Sequence, residues 1–518
     1  MRKLFFQFAF SLFTTVLIAQ PNIEWQNTYS NSPNGYFDIN MALTNDNGNI
    51  VIGCIDMLGD PIVSLQRQDF WVIKSDATGV IEWEKSYGGS AADLGHSIQQ
   101  TTDGGYIMAG MTMSNDLDVS NNHGARDCWI VKLSPTGSIQ WQKTFGGSMD
   151  DEATSILQTT DGGFIVAGQS QSSDGDVLEN KGSHDFWIIK LSEQGLIQWQ
   201  KTLGGSKSDR AIEVLQTMDN GYAVMGRIQS TNGDVSGFHG GFEDTWLVKL
   251  DDNGNVLWKN AYGGNYSDLM RAFQQTSDGG FIMAGYSEST DFSTTEHHGG
   301  VYDCWVMKIN ALGEIEWQKL MGGTGKEKFT SVLIPTDGGY LLVGGSESID
   351  GDISGNHGDD DSWIVKLNSN GDIAWQKLIG GSKSDFFVKV LQTSDKGFLL
   401  LGQTGSVDGD LTGLPTHSAY WILKLSPEVV SIQETPSNAI GYLKIFPNPS
   451  GQMISLSIVD EETILNVRIS DTKGQLLLQQ TIPNHANMEL STLPNGIYTV
   501  IATMPSGKVF SSKISKQE

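Results

Sequence analysis

The sequence predicts an all-β chain: a seven-bladed β-propeller of four-stranded antiparallel blades, closed by its N-terminal strand, and then a small immunoglobulin-like β-sandwich. Three observations predict it. All fourteen Trp residues fall into two registers, one from Trp71 to Trp421 and one from Trp25 to Trp375, each spaced by 58 or 59 residues. Every period contains four short apolar runs bounded by Gly or Asp, the signature of strands. After Leu425 the repeat stops and a stretch of different texture begins.

Taken in chain order, Arg2 and Lys3 precede an apolar run from Leu4 to Ile18, and a cut between Ala19 and Gln20 suits the small residue there. This reads as a secretory signal peptide over residues 1–19, because the run is too short for a membrane anchor. No later segment is apolar for long enough to span a bilayer. The propeller is assigned to 20–426. A period of this length marks supersecondary units that cannot bury their own apolar surface alone. In the third unit the runs are EATSILQT (152–159), GFIVAG (163–168), DFWIIKL (185–191) and IQWQK (197–201). The second and third are nearly continuous in apolar residues, as central strands packed on both faces should be. The fourth alternates, as an outer strand with one wet face should.

The phase of the repeat predicts the closure. Six first-register Trp residues are followed twelve positions later by a second-register Trp, but Gln433 stands where the partner of Trp421 belongs. The unpaired Trp25, within 22–28, opens the mature chain instead. The N-terminal strand is therefore expected to pair with residues 420–425, leaving no exposed strand edge at the join.

Residues 427–440 contain Pro427 and Pro436 and read as a linker. From 441 to 518, strands separated by Asp-Thr-Lys-Gly and Pro-Asn-Gly turns indicate a separate small sandwich. This stretch resembles the type A C-terminal sorting domain of the type IX secretion system of Bacteroidetes. The resemblance is carried by Phe446-Pro447-Asn448-Pro449, by Asp471 with Gly474, by Leu493-Pro494-Asn495-Gly496-Ile497-Tyr498, and by Lys513. It implies Sec export to the periplasm, engagement of the type IX translocon and sorting machinery, outer-membrane passage, and then surface attachment or release. The repeats also look like tandem units of secreted proteins of that group.

Composition limits the partners. The chain carries 60 Asp plus Glu against 33 Lys plus Arg, a formal net charge of -27, which disfavours a phosphate backbone and hence nucleic acid. Cys54, Cys128 and Cys304 read as small buried apolar residues. The loops between second and third strands hold Asp116, Asp118, Asp174, Asp176, Asp234, Asp350, Asp352, Asp408 and Asp410, and an Asp such as Asp185 recurs two residues before the Trp. Asp174, Asp176 and Asp185 together could supply oxygen ligands to calcium. The alternative is that these side chains make turns and satisfy loop amides. Seven histidines (123, 184, 239, 297, 298, 357 and 417) lie in the same loops, spread one or two to a blade rather than gathered as a metal cluster.

The Gly-Gly-Ser runs before the first strands have no following Lys-Ser/Thr or helix, so they read as inter-blade turns and not phosphate cradles. No nucleophile with its base, and no carboxylate pair found in one blade alone, breaks the repeat. The leading expectation is a non-catalytic binding or adhesion propeller engaging glycan or protein on its loop face. The alternatives are a hydrolase or lyase acting on polysaccharide at the channel mouth, and a structural surface-layer component.

Overall fold

The computed structural model describes residues 16–29, 39–56, 68–292, 297–411, 419–432, 443–446, 450–458, 464–471, 475–483, 486–503 and 509–516. The chain forms two compact units, one of Ile18–Val429 and one that contains Val430–Glu518.

The larger unit is built of four-stranded antiparallel sheets, seven among the described residues. In the third, Asp151–Gln158, Phe164–Ser170, Asp185–Leu191 and Ile197–Leu203 lie side by side in chain order. The middle two strands are buried at every residue, which their unbroken Phe, Ile, Val and Trp content requires. The first strands follow one another around the unit, and the one at Asp385–Gln392 returns to pack against Asn40–Leu43 of the first sheet. Repeated sheets arranged radially in this way are a β-propeller.

The last sheet takes its outer strand from the other end of the chain, since Ile23–Tyr29 pairs antiparallel with Ala419–Leu425. One bond makes the equivalence plain. The Trp187 indole donates to Gln200 Oε1 at 2.9 Å, thirteen residues downstream, and Trp129, Trp305 and Trp363 do the same to Gln142, Gln318 and Gln376. Trp421 donates instead to Gln26 Oε1 at 3.2 Å. The inner-register Trp residues are 0–3% exposed and fill the core between sheets. Five outer-register Trp residues (83, 141, 199, 258 and 317) are half-buried and meet an aromatic ring of the next sheet, as Trp141 meets Phe164 with centroids 5.9 Å apart.

A second repeated device was not anticipated from the sequence. The Lys three residues after each inner-register Trp is buried, and its ammonium reaches the Asp of the turn between first and second strands. Examples are Lys190–Asp161 at 2.9 Å, Lys132–Asp103 at 2.8 Å and Lys249–Asp219 at 2.9 Å. That Asp also accepts from a Thr hydroxyl and a Gly amide, so one carboxylate ties the turn to the third strand. All three cysteines are buried.

In the C-terminal unit, a three-stranded sheet (Leu443–Phe446, Met453–Ile458, Asn487–Glu489) and a four-stranded sheet (Ile464–Ser470, Leu476–Pro483, Gly496–Thr503, Val509–Lys516) share one core. Ile454, Leu456, Val467, Val500 and Ile514 are at its centre.

Candidate functional site

The loop carboxylates are spent on backbone. Asp174 Oδ1 accepts the Ser148 amide at 2.8 Å and Asp176 Oδ2 the Gly146 amide at 3.2 Å, both donors lying in the inter-blade turn. The other sheets repeat these bonds: Asp116 to Ser90, Asp118 to Gly88, Asp234 to Gly204, Asp350 to Thr324, Asp352 to Gly322, Asp408 to Ser382 and Asp410 to Gly380. The amide of Ser148, Thr324 or Ser382 lowers the carboxyl pKa of Asp174, Asp350 and Asp408 in turn.

Beside them a buried first-strand carboxylate completes the clasp. Asp151 Oδ2 accepts Gly147 N at 2.8 Å and the Ser172 hydroxyl at 2.7 Å, and its Oδ1 accepts the Ser170 hydroxyl. The loops and the inter-blade turns therefore share one face, as strand order predicts.

Asp185, the third member of the calcium set, accepts the Lys181 amide at 2.7 Å, and burial raises its carboxyl to about 6. Its Oδ1 is buried without a hydrogen bond and faces Gly204, where a Cβ would stand 2.2 Å away. Among the described residues no group of three or more His, Cys, Asp or Glu is disposed to hold a metal.

The loop histidines serve the same turns. His123 and His357 place Nδ1 at 2.7 and 2.9 Å from Asp127 and Asp361, while His239 and His298 lie 3.1 Å from Asp244 and Asp303. The His297 ring accepts the Gly299 amide. His417 lies outside the described residues.

The repeat is broken elsewhere, at positions outside the nucleophile–base and paired-carboxylate patterns sought in the sequence. A cavity of about 610 Å³ runs along the first strands and is lined by unlike side chains. Six of the seven first strands carry a bulge, and the bulged residue lines this cavity: His96, Thr154, Ile212, Arg271, Thr330 and Val388. Bulges re-aim side chains in this manner next to functional sites.

Two further positions vary where the cavity opens on the loop face. The residue after the clasp carboxylate is Leu94, Glu152, Arg210, Leu269, Lys328 or Phe386, and the residue before the Asp of the third strand is Gln68, Arg126, His184, Glu243, Tyr302 or Asp360. These are the functional candidates that reading the repeat for its constancy missed. The available signal was variation at a fixed register.

At the mouth these residues form a polar network. Glu152 Oε1 lies 2.8 Å from His96 Nε2, and Oε2 accepts Gln169 Nε2 at 2.7 Å. Arg210 stands directly opposite Arg227 in the ladder, and Arg227 pairs with Glu243 at 3.1 Å. Arg210 donates to the Ser208 hydroxyl at 3.0 Å and lies against the His184 ring, whose pKa falls to about 4 through burial and then the Arg210 charge. Tyr286 and Tyr302 lie against each other with centroids 5.0 Å apart and their planes inclined by 44°. Deeper in, Lys389 approaches Glu213 at 3.7 Å. Asp360 has a buried Oδ1 without a hydrogen bond, and burial pushes its carboxyl up to about 7 against the pull of Lys328.

Of the sorting-motif residues, Tyr498 is buried and donates to Pro494 O at 2.5 Å. Asp471 accepts the Gln475 amide at 2.8 Å, closing a turn. Gly496 and Lys513 lie in paired strands opposite Lys516 and Thr499. Pro447, Asn448, Pro449 and Gly474 lie outside the described residues.

These features define a class, a secreted β-propeller of repeated four-stranded sheets with a separate C-terminal tail. Residues 444–517 match the family described as the secretion system C-terminal sorting domain. That tail is the signal by which the type IX system exports a chain to the cell surface or the medium. Among the described residues no helix is long and apolar enough to cross a membrane.

Regulatory protein FlaEY of Caulobacter vibrioides is 21% identical over 493 residues, covering 88% of this chain and 50% of its own length. The chain thus spans about half of that relative. The WD40 domain of Neurospora crassa Pan2 is 10% identical with a TM-score of 0.46, over 80% of this chain and 97% of its own. A Bacteroides vulgatus protein of the DUF4221 family is 8% identical with a TM-score of 0.36, over 79% and 98%.

Proposed function

We infer that the chain is a surface-displayed or released binding protein, a closed seven-bladed propeller carried out by an immunoglobulin-like sorting domain, with its ligand site in the central channel. One observation carries this reading: positions that are constant around the ring hold the scaffold, whereas those lining the channel differ from blade to blade. A site needs such asymmetry, because a ligand without matching symmetry must meet unlike groups. Loops on the same face, held by the carboxylate clasps, frame the opening.

The test is a crystal soaked with oligosaccharide and peptide libraries. Ordered density among His96, Arg210 and Tyr302 is expected. Density confined to the outer loops, or self-assembly with no ligand at all, overturns the reading.

A second reading, an acid–base enzyme acting on polysaccharide, is favoured by Asp360. A carboxyl held near 7 beside a lysine is poised for proton transfer. Product release abolished by Asp360→Asn, with binding retained, would establish it in place of simple binding.

A further inference from the structure

We propose that the channel site recognises an anionic saccharide through Arg210, Arg271 and Lys328, with the Tyr286–Tyr302 pair as its stacking surface. This rests on the channel being the ligand site and specifies what it takes.

The first argument is charge contrast. A chain of net charge -27 places five cationic side chains on one cavity wall, Arg210, Arg227, Arg271, Lys328 and Lys389, against three carboxylates. Two of the cations are already matched, Arg227 by Glu243 and Lys389 by Glu213. Glu152 is engaged by His96 and Gln169. Arg210, Arg271 and Lys328 are in none of these pairs. Glu152 and Glu243 act on Arg210, and Asp360 on Lys328, from the mouth. Along the lining itself five cations meet only Glu152, Glu213 and Glu288, an excess of positive charge.

The second argument is placement. Arg210 and Arg227 are direct cross-strand partners, an arrangement of like charges that costs stability. In the adjoining blade Arg271 projects from the bulge into the same cavity, next to Tyr286. Guanidinium groups offer a rigid fork of donors that suits carboxylate or sulfate oxygens two at a time. The tyrosine pair lines the same space, and aromatic rings with hydroxyls are the combination that holds the apolar face and the polar rim of a sugar together. A cavity of about 610 Å³ is within the range of small-ligand sites. An acidic exterior around a cationic lining also disfavours loose attachment of anions elsewhere on the molecule.

The test uses the full mature chain in calorimetric titrations with three probes of equal length: a uronic-acid oligosaccharide, a sulfated oligosaccharide and a neutral one. Arg271→Ala, Lys328→Ala and, as a charge control outside the channel, Lys319→Ala are compared. Lys319 is suited to this because it pairs with exposed Asp372 on the outer strand.

Expected is binding of one or both anionic probes. Each channel variant should weaken it about tenfold or more, Lys319→Ala should leave it unchanged, and affinity should fall as salt rises. A preference between the uronate and sulfate probes identifies which anion the fork fits. Equal binding of the neutral probe, insensitive to Arg271→Ala, overturns the anionic assignment while leaving the channel as the site. Binding of an anionic probe unaffected by either channel variant overturns the assignment of the site as well. Absence of binding by all three probes overturns the saccharide assignment, and the library soak then decides the channel reading separately.

Discussion

If Ile23–Tyr29 is a full outer strand, losing its buried bond should cost what the same bond costs in the middle of the chain. Gln26 and Gln200 make this comparison possible. Gln26 Oε1 accepts the Trp421 indole at 3.2 Å and its amide donates to Asp410 O at 2.8 Å. Gln200 accepts from Trp187 at 2.9 Å and donates to Asp176 O at 2.6 Å. Substitution by Ala strands a buried indole N–H and a carbonyl in each case, a loss of about 1–3 kcal/mol.

For a unit of this size the unfolding entropy is of order 0.9 kcal/mol per kelvin, so Tm should fall by about 1–4 °C. Differential scanning calorimetry of Gln26→Ala, Gln200→Ala and the double variant reads this directly. The two single losses should agree within about 0.5 kcal/mol, and the sites are far enough apart in their contacts to add. A normal Tm for Gln26→Ala beside a lowered one for Gln200→Ala would show that the N-terminal strand does not carry the load of a blade strand. Deleting residues 20–28 should lower Tm far more.

Stability should rise as pH falls from 8 to about 5, followed by calorimetry. Burial holds Asp244 and Asp360 up to about 7, and Asp69 and Asp185 up to about 6, against 3.8 for an ordinary Asp. A raised folded pKa means the folded state binds protons more tightly. That contribution is complete below 3.8 and is lost as pH rises through 6 to 7. His184, lowered to about 4, works in the opposite sense between 6.5 and 4 but is one group against several. Below pH 4 the trend should reverse, because Asp46, Asp278 and Asp395 are held at about 2 by hydroxyl, amide and lysine partners that outweigh burial. Gly204→Ala would set a Cβ 2.2 Å from Asp185 Oδ1 and should cost about 3 kcal/mol or prevent folding, as measured by urea unfolding. Removing residues 441–518 should leave the propeller in the periplasm, scored by fractionation, and normal surface delivery would refute the sorting role.

What the sequence made legible was whatever repeats. Trp spacing, Gly-Gly turns and the missing partner at Gln433 are each read by comparing one unit with the next, and the clasp of Gln26 on Trp421 is the physical form of that comparison. The loop aspartates were legible as conspicuous residues but ambiguous in purpose. An Asp that binds a cation and one that accepts turn amides have the same spacing, and only the bonds from Ser148 and Gly146 separate them.

The channel was hidden for the opposite reason. Arg210 and Arg227 stand 17 residues apart and become neighbours through ladder register. Arg271 faces the channel because of a bulge that no composition signal announces. A repeat scaffold suppresses information at its structural positions, since each must satisfy the same local geometry in every copy. It leaves information free to differ only where no neighbouring blade constrains the side chain. In this molecule that freedom is concentrated along the channel, so variation against a constant register, rather than constancy, is the property that points to the ligand.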